Sequence, residues 1–366
     1  MLKKDKSVVL LIFRIVVGLV FIFSSVVKGI DPLGTAYRVE DYLEAYSWYF
    51  LVDYSLYLGI LLIVVEFILG VSMLFRLRFK LGALGVLLIM LIFTTITYFD
   101  ATLNLVPDCG CFGDAVKLSN WETFYKNIVL IIMAVVIFVM RKQAVQHTPK
   151  WFQNSLLALI SFVFIAFVYY SSNHLPLMDF RAWKIGNNMK AIGEEDAKVY
   201  LTYQNTETGE TKEYLSPNYP WSDSLWLATW DFVGQRFDNS SLIKMHELII
   251  EDSLANDNTT HLIENPFTQI LVIIPDIEKT NKLGLERAIE ISQSLTENQF
   301  IAIVTGSDFE TAGKFFAKSD IEVYFADDIE LKAMIRSNPG IVILQNGVIV
   351  KKYHYNDFPE RILTSD

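Results

Sequence analysis

Apolar residues run almost unbroken through five stretches of the first 170 residues: Val8–Val27, Leu56–Phe75, Leu81–Phe99, Phe124–Met140 and Trp151–Tyr170. A helix that crosses the hydrocarbon core needs about 20 mostly apolar residues, so each stretch predicts a membrane span. The fourth and fifth are short, but aromatic and polar residues flank them as interface anchors. The first exceeds a signal-peptide core, carries Arg14 and lacks a small-residue cleavage site. It is expected to stay as a helix, with Arg14 reaching to its inner end.

Beyond residue 172 the pattern turns mixed and polar. Residues 173–197 are expected to form a tether. Lys198–Gln204 and Thr211–Leu215 read as a hairpin, and Thr229–Phe237 adds a strand. From residue 265 the periodicity alternates. Strands are predicted at Gln269–Ile274, Phe300–Thr305, Glu322–Phe325, Ile341–Gln345 and Val348–Tyr355. Helices are predicted at Thr280–Glu297, Phe309–Lys318 and Ile329–Ser337. Asn346-Gly347 marks the turn of the last hairpin. The predicted organisation is a membrane domain at 1–145, a fifth span at 146–172, a tether and small β module at 173–264, and an α/β domain at 265–366.

Charge sets an orientation. Lys3, Lys4 and Lys6 precede the first span; Arg76, Arg78 and Lys80 separate the second and third; Arg141, Lys142 and Lys150 separate the fourth and fifth. These clusters fall on one side, and positive residues mark the cytoplasm. A multi-pass protein of the inner (cytoplasmic) membrane is expected, with its N-terminus cytoplasmic. Loops 28–55 and 100–123 and the C-terminal domain are then extracytoplasmic. The lipid bilayer is the first partner. The net charge of -10, with no basic patch in the soluble half, speaks against nucleic acid.

Chemistry concentrates in two places. Glu66 lies mid-way through the second span, where a carboxylate must face protein or water. It is a candidate proton or quinone site, or else a buried carboxyl that locks helix packing. Gly18, Gly59, Gly70, Gly82 and Gly85 suit close helix contacts. The chain's two cysteines, Cys109 and Cys111, stand in Pro107-Asp108-Cys109-Gly110-Cys111-Phe112-Gly113-Asp114. A disulfide needs Cα atoms about 4.4–6.8 Å apart, and Gly110 gives the bend that freedom. The small ring would be strained and exchangeable, which suits redox work. Asp108 and Asp114 oppose it by disfavouring the thiolate. A structural staple and a soft-metal pair stay open beside the redox reading, although no four-ligand metal set appears.

The helical pattern of residues 8–142 and the segment CGCFGDAVKLSNWETFYKNIVLI at 109–131 resemble the DoxX/MauE-like membrane proteins. The resemblance is to a Bacteroidota-type subgroup with an extra C-terminal domain. It implies a four-helix core, a link to quinone or thiosulfate chemistry in some members, and disulfide formation in MauE-like ones. By that likeness Cys109 and Cys111 are the candidate redox residues, and quinone is the one cofactor implied.

The order β-α-β-α-β-α-Pro-β-β resembles a thioredoxin-like domain, with Pro339 where that family places a cis-proline. The family's Cys-x-x-Cys position reads Ile274-Pro275-Asp276-Ile277-Glu278-Lys279-Thr280, without a cysteine. Such a domain cannot exchange dithiols by itself, but a groove near Pro339 is a candidate peptide-binding surface. Together these features predict a membrane α-helical bundle, with a four-helix core and a fifth helix, followed by a redox-inactive thioredoxin-like domain. The expected role is an accessory in envelope thiol–disulfide homeostasis that docks an exported or membrane protein. The alternative is a non-enzymatic scaffold for cell-envelope assembly.

Overall fold

The computed structural model describes residues 2–106, 110–143, 148–190, 198–206, 208–238, 248–317 and 319–362. The chain divides into two compact units, Met1–Arg181 and Ala182–Asp366.

The first unit is helical: α1 Leu2–Ile30, α2 Pro32–Ala45, α3 Ser55–Phe75, α4 Phe79–Leu103, α5 Asn120–Met140 and α6 Lys150–Asn173. Among the described residues, five segments are long and apolar enough to cross a membrane: Val8–Ile30, Tyr49–Phe75, Phe79–Leu103, Asn120–Met140 and Lys150–Asn173. This is the pattern of a multi-pass membrane protein, and each segment contains one of the five predicted spans. The core joins α1, α3, α4 and α5 through Val17, Phe21, Met73, Val86, Met90, Leu130 and Ala134. The fifth long helix, α6, packs on α3, where Phe164 stacks on Phe67 with ring centroids 3.7 Å apart. Association in lipid relies on close van der Waals fit rather than on water exclusion. Gly70 supplies that fit at the crossing of α1 and α3: a Cβ there would lie 2.8 Å from Ile22 Cγ1 and 2.9 Å from the Ile22 backbone nitrogen.

Arg14 bonds the carbonyls of Met73 and Leu74 at 3.0 and 2.8 Å. Its guanidinium thus meets the C-terminal end of α3, where unsatisfied carbonyls concentrate negative charge. Helix α2 falls in the stretch read as an outer loop. Its start is built by Asp31, whose side chain accepts from the Gly34 amide, and by Pro32 at the first helical position. It buries Pro32, Thr35, Ala36 and Leu43.

The second unit holds two sheets. Strands β1 (Lys198–Asn205), β2 (Thr211–Leu215) and β3 (Trp230–Asp238) form an antiparallel sheet in the order β2-β1-β3. The predicted hairpin and third strand therefore form, with the six-residue helix α7 (Ser224–Thr229) leading into β3. After α8 (Thr259–Ile263) come β4 (Thr268–Ile274), α9 (Lys282–Ser292), β5 (Gln299–Thr305), α10 (Phe309–Phe315), β6 (Glu322–Phe325), α11 (Asp328–Met334), β7 (Gly340–Gln345) and β8 (Val348–His354). Their sheet runs β6-β5-β4-β7-β8; β4, β5 and β6 are parallel, and β7 and β8 run antiparallel. Every residue of the central strand β4 is buried, which explains the apolar run Ile270–Ile274. Asn346 and Gly347 both take positive φ, +49° and +83°, in the β7–β8 turn.

Both edges of the five-stranded sheet are contacted by other segments. Residues 186–189, within the expected tether, run along β8: the Gly186 amide donates to Ile349, Ile349 to Asn187, and Met189 to Gly347. At the other edge, Glu251 and Phe325 of β6 exchange a pair of 2.8 Å backbone bonds.

Candidate functional site

Glu66 sits just past the middle of α3 with only 2% of its surface exposed. An isolated carboxylate at that depth is very costly, so a partner is required. Lys28, near the end of α1, supplies it. Its Nζ lies 2.8 Å from Glu66 Oε1 and 2.9 Å from Oε2, and the lysine is itself 6% exposed. The ammonium also stands 5.7 Å from the centre of the Phe93 ring on α4, where the aromatic face adds a weaker attraction.

Ser24, one turn before Lys28, joins this pair to the cysteine loop. Its hydroxyl is 3.1 Å from Glu66 Oε2 and 2.8 Å from the backbone carbonyl of Cys111. Further contacts seat the loop. The Phe112 ring meets Phe23 edge-on at 5.5 Å, and Lys126 of α5 places its ammonium 4.4 Å over Phe112. Gly110 and Gly113 both have positive φ, and the Gly113 amide donates to Gly110. A Cβ on Gly110 would come 3.0 Å from Arg38 Cγ on α2. The segment that follows enters α5 through a capping box in which Ser119 and Glu122 bond each other's backbone amides.

Between loop and pair lies a cavity of about 20 Å³, lined by Ser24, Lys28, Glu66, Cys111, Lys126 and Asn127 among others. Of the sequence-predicted residues, Glu66 and half-buried Cys111 are thus brought to one place, while Cys109 and Asp108 lie outside the described residues. Lys28 and Ser24 were not anticipated. The predicted span stopped at Val27, one residue short of the lysine. The signal was the need of a mid-membrane acid for a cation.

A second buried acid, Asp100 on α4, also went unremarked. It is fully buried and accepts from the Tyr42 hydroxyl at 2.6 Å, while its other oxygen has no partner among the described residues. Burial, and then the charge of Asp100, push the Tyr46 phenol above its usual range.

Pro339 belongs to the second unit. The Asn338–Pro339 peptide bond is cis. The Asn338 carbonyl accepts from the Asn281 amide at 3.0 Å, and its side chain bonds Asp276 O and Thr280 Oγ1. The turn that in the resembling family would carry cysteines is therefore tied to the proline loop by hydrogen bonds.

The geometry defines a multi-pass helical membrane protein with a charged, loop-covered centre. Residues 6–140, which include the four core helices and the cysteine loop, match the family model described as Methylamine utilisation protein MauE. The match covers a little over a third of the chain. No curated protein and no solved structure matches.

Proposed function

We propose that the chain is an inner-membrane accessory of envelope thiol–disulfide homeostasis, of the DoxX/MauE type, and that Cys109 and Cys111 exchange disulfides with an exported partner. The observation that carries this reading is the seating of Cys111. Its carbonyl is held by Ser24 above a buried Lys28–Glu66 pair, beside a small cavity that Lys126 also lines. Ammonium groups near a thiol favour the thiolate, which offsets the acidic flanks of the motif. A loop serving only as a turn has no need of a desolvated ion pair beneath it. The match to the MauE model over the same residues points the same way.

The loop and the C-terminal domain both lie on the extracytoplasmic side in this reading, which the three basic clusters support. Lys28 is no exception to that charge rule, because it is neutralised within the bundle. The sheet order β6-β5-β4-β7-β8 and the helices between its strands support a thioredoxin-like domain. Without cysteines at Pro275–Thr280 its role is to dock the partner. Because the Asn338 carbonyl is already bonded, docking near Pro339 rests on side chains rather than on that carbonyl.

The test is a Cys109→Ser/Cys111→Ser variant in cells, read with a membrane-impermeant, mass-shifting maleimide on the unsubstituted chain. Labelling only after reduction, together with loss of function in the variant, supports exchange. Full function without either cysteine overturns it and leaves the scaffold role, in which the domain assembles partners without chemistry.

A further inference from the structure

We propose that Glu66 is the proton acceptor for the Cys111 thiol, acting across the cavity the two residues share, with Lys28 facing an anion before and after the transfer. This inference rests on the thiol–disulfide reading of the loop. Charge balance is its first support. Lys28, Lys126 and Glu66 line the cavity with Cys111, and moving the thiol proton to Glu66 leaves their total charge unchanged. The proton then need not cross to solvent while the thiolate forms in a desolvated site.

Hydrogen-bond direction is the second support. Ser24 has a single hydroxyl proton, yet two acceptors stand within reach of its oxygen, Glu66 Oε2 at 3.1 Å and the Cys111 carbonyl at 2.8 Å. It can donate to one at a time. Once Glu66 carries a proton, the carboxyl donates to Ser24 and Ser24 donates to Cys111, so both short contacts are hydrogen bonds at once. The cavity of about 20 Å³ has room for one water to pass the proton.

The exchange balances as follows. The Cys111 proton goes to Glu66, and the thiolate attacks one sulfur of the partner's disulfide. The partner's S–S bond breaks as the mixed disulfide forms, and the leaving thiolate recovers the proton from Glu66. The Cys109 thiol then displaces the second partner sulfur and gives it its own proton. The two cysteines end oxidised, the partner's disulfide ends as two thiols, and Glu66 is restored. Ordinary thiol and carboxyl pKa values differ by a factor on the order of 10⁴. The thiolate is therefore a minor species at rest and forms as the electrophile arrives.

Among the described residues, the charged groups that face the loop or its cavity are Lys28 on α1, Arg38 on α2, Glu66 on α3 and Lys126 on α5, with Asp114 in the loop itself. The experiment uses the full chain carrying Cys109→Ser, so that Cys111 is its sole thiol, and follows iodoacetamide alkylation against pH. Glu66→Gln is expected to slow alkylation at neutral pH by about tenfold or more and to move the midpoint of the profile upward. Glu66→Asp falls between the two. If Glu66 only neutralises Lys28, Glu66→Gln bares the ammonium beside the thiol, and the profile moves downward with a faster rate. A downward shift, or an unchanged profile, overturns the proposal. So does a Cys111 that the reagent never reaches. Should Glu66→Gln fail to fold, the direction of the Glu66→Asp shift decides. The readout needs no partner, so a relay that passes this test while the double-cysteine variant stays fully functional would fail the exchange reading alone.

Discussion

Each unit of the chain buries a lysine, and the two are held in opposite ways. Lys28 in the helical unit faces a carboxylate, Glu66, contributed by another helix. Lys352 on β8, only 8% exposed, donates to the backbone carbonyl of Trp183 at 2.9 Å. The second arrangement pins a chain segment: the ammonium supplies the donor that a buried carbonyl needs, and its stem fills space. The first is more than is needed to pin two helices that already interdigitate at Gly18 and Gly70. An ion pair sunk in the bundle gives little net stability over an apolar pair of the same volume. The difference teaches that a buried charge should be judged by what sits beside it. Trp183 lies in a packed edge, whereas Lys28 and Glu66 line a cavity with a thiol-bearing residue.

The comparison is broken most strongly at Glu66. Glu66→Ala leaves the Lys28 ammonium uncompensated and is expected to destabilise the helical unit by about 3–5 kcal/mol, read as a fall in the thermal midpoint in detergent. Replacing both partners, Lys28→Met with Glu66→Leu, is expected to recover most of that loss while still abolishing function. A double variant as unstable as the single one would show that the pair holds the bundle together.

Lys352→Met should cost less, about 1–3 kcal/mol for the orphaned carbonyl. Its signature is local, with faster hydrogen exchange at the amides of Gly186, Met189 and Ile349. Protection that stays unchanged would assign the edge to the backbone pairing alone.

The smallest effect is electrostatic. Burial, and then the Glu322 carboxylate that accepts from its hydroxyl at 2.8 Å, push the Tyr324 phenol up to about 12. A raised folded-state value means that the neutral form is favoured in the fold. This contribution to stability is complete below the unfolded value near 10 and fades as the pH rises toward 12. Ultraviolet titration should find Tyr324 among the last tyrosines to ionise, and Glu322→Gln should bring it earlier.

Much of this architecture was legible in the chain because its signals are local. Membrane spans announce themselves by length and apolarity, and β4 by the apolar run Ile270–Ile274. Helix α2 was not legible, since PLGTAYRVEDYLEA is half polar and its packing against α3 decides its state; the Asp31-Pro32 start was the cue available. The site was legible only in pieces. Glu66 and Cys111 stand out separately, 45 positions apart, and nothing in their spacing says that they share a cavity. Ser24 and Lys28 become meaningful only when one turn of α1 faces both. A serine is too common, and a lysine at a helix end too ordinary, to be singled out from the sequence.

The covered sheet edges have a consequence for life at a crowded membrane. An open edge strand is a template on which neighbouring copies can zip together. Here β8 is overlain by residues 186–189, and β6 is only four residues long and already bridged at Phe325. At the five-stranded sheet, copies concentrated in two dimensions by their helices therefore meet through side chains rather than through a long exposed edge. Crowding at that sheet then favours reversible encounters over edge-to-edge association.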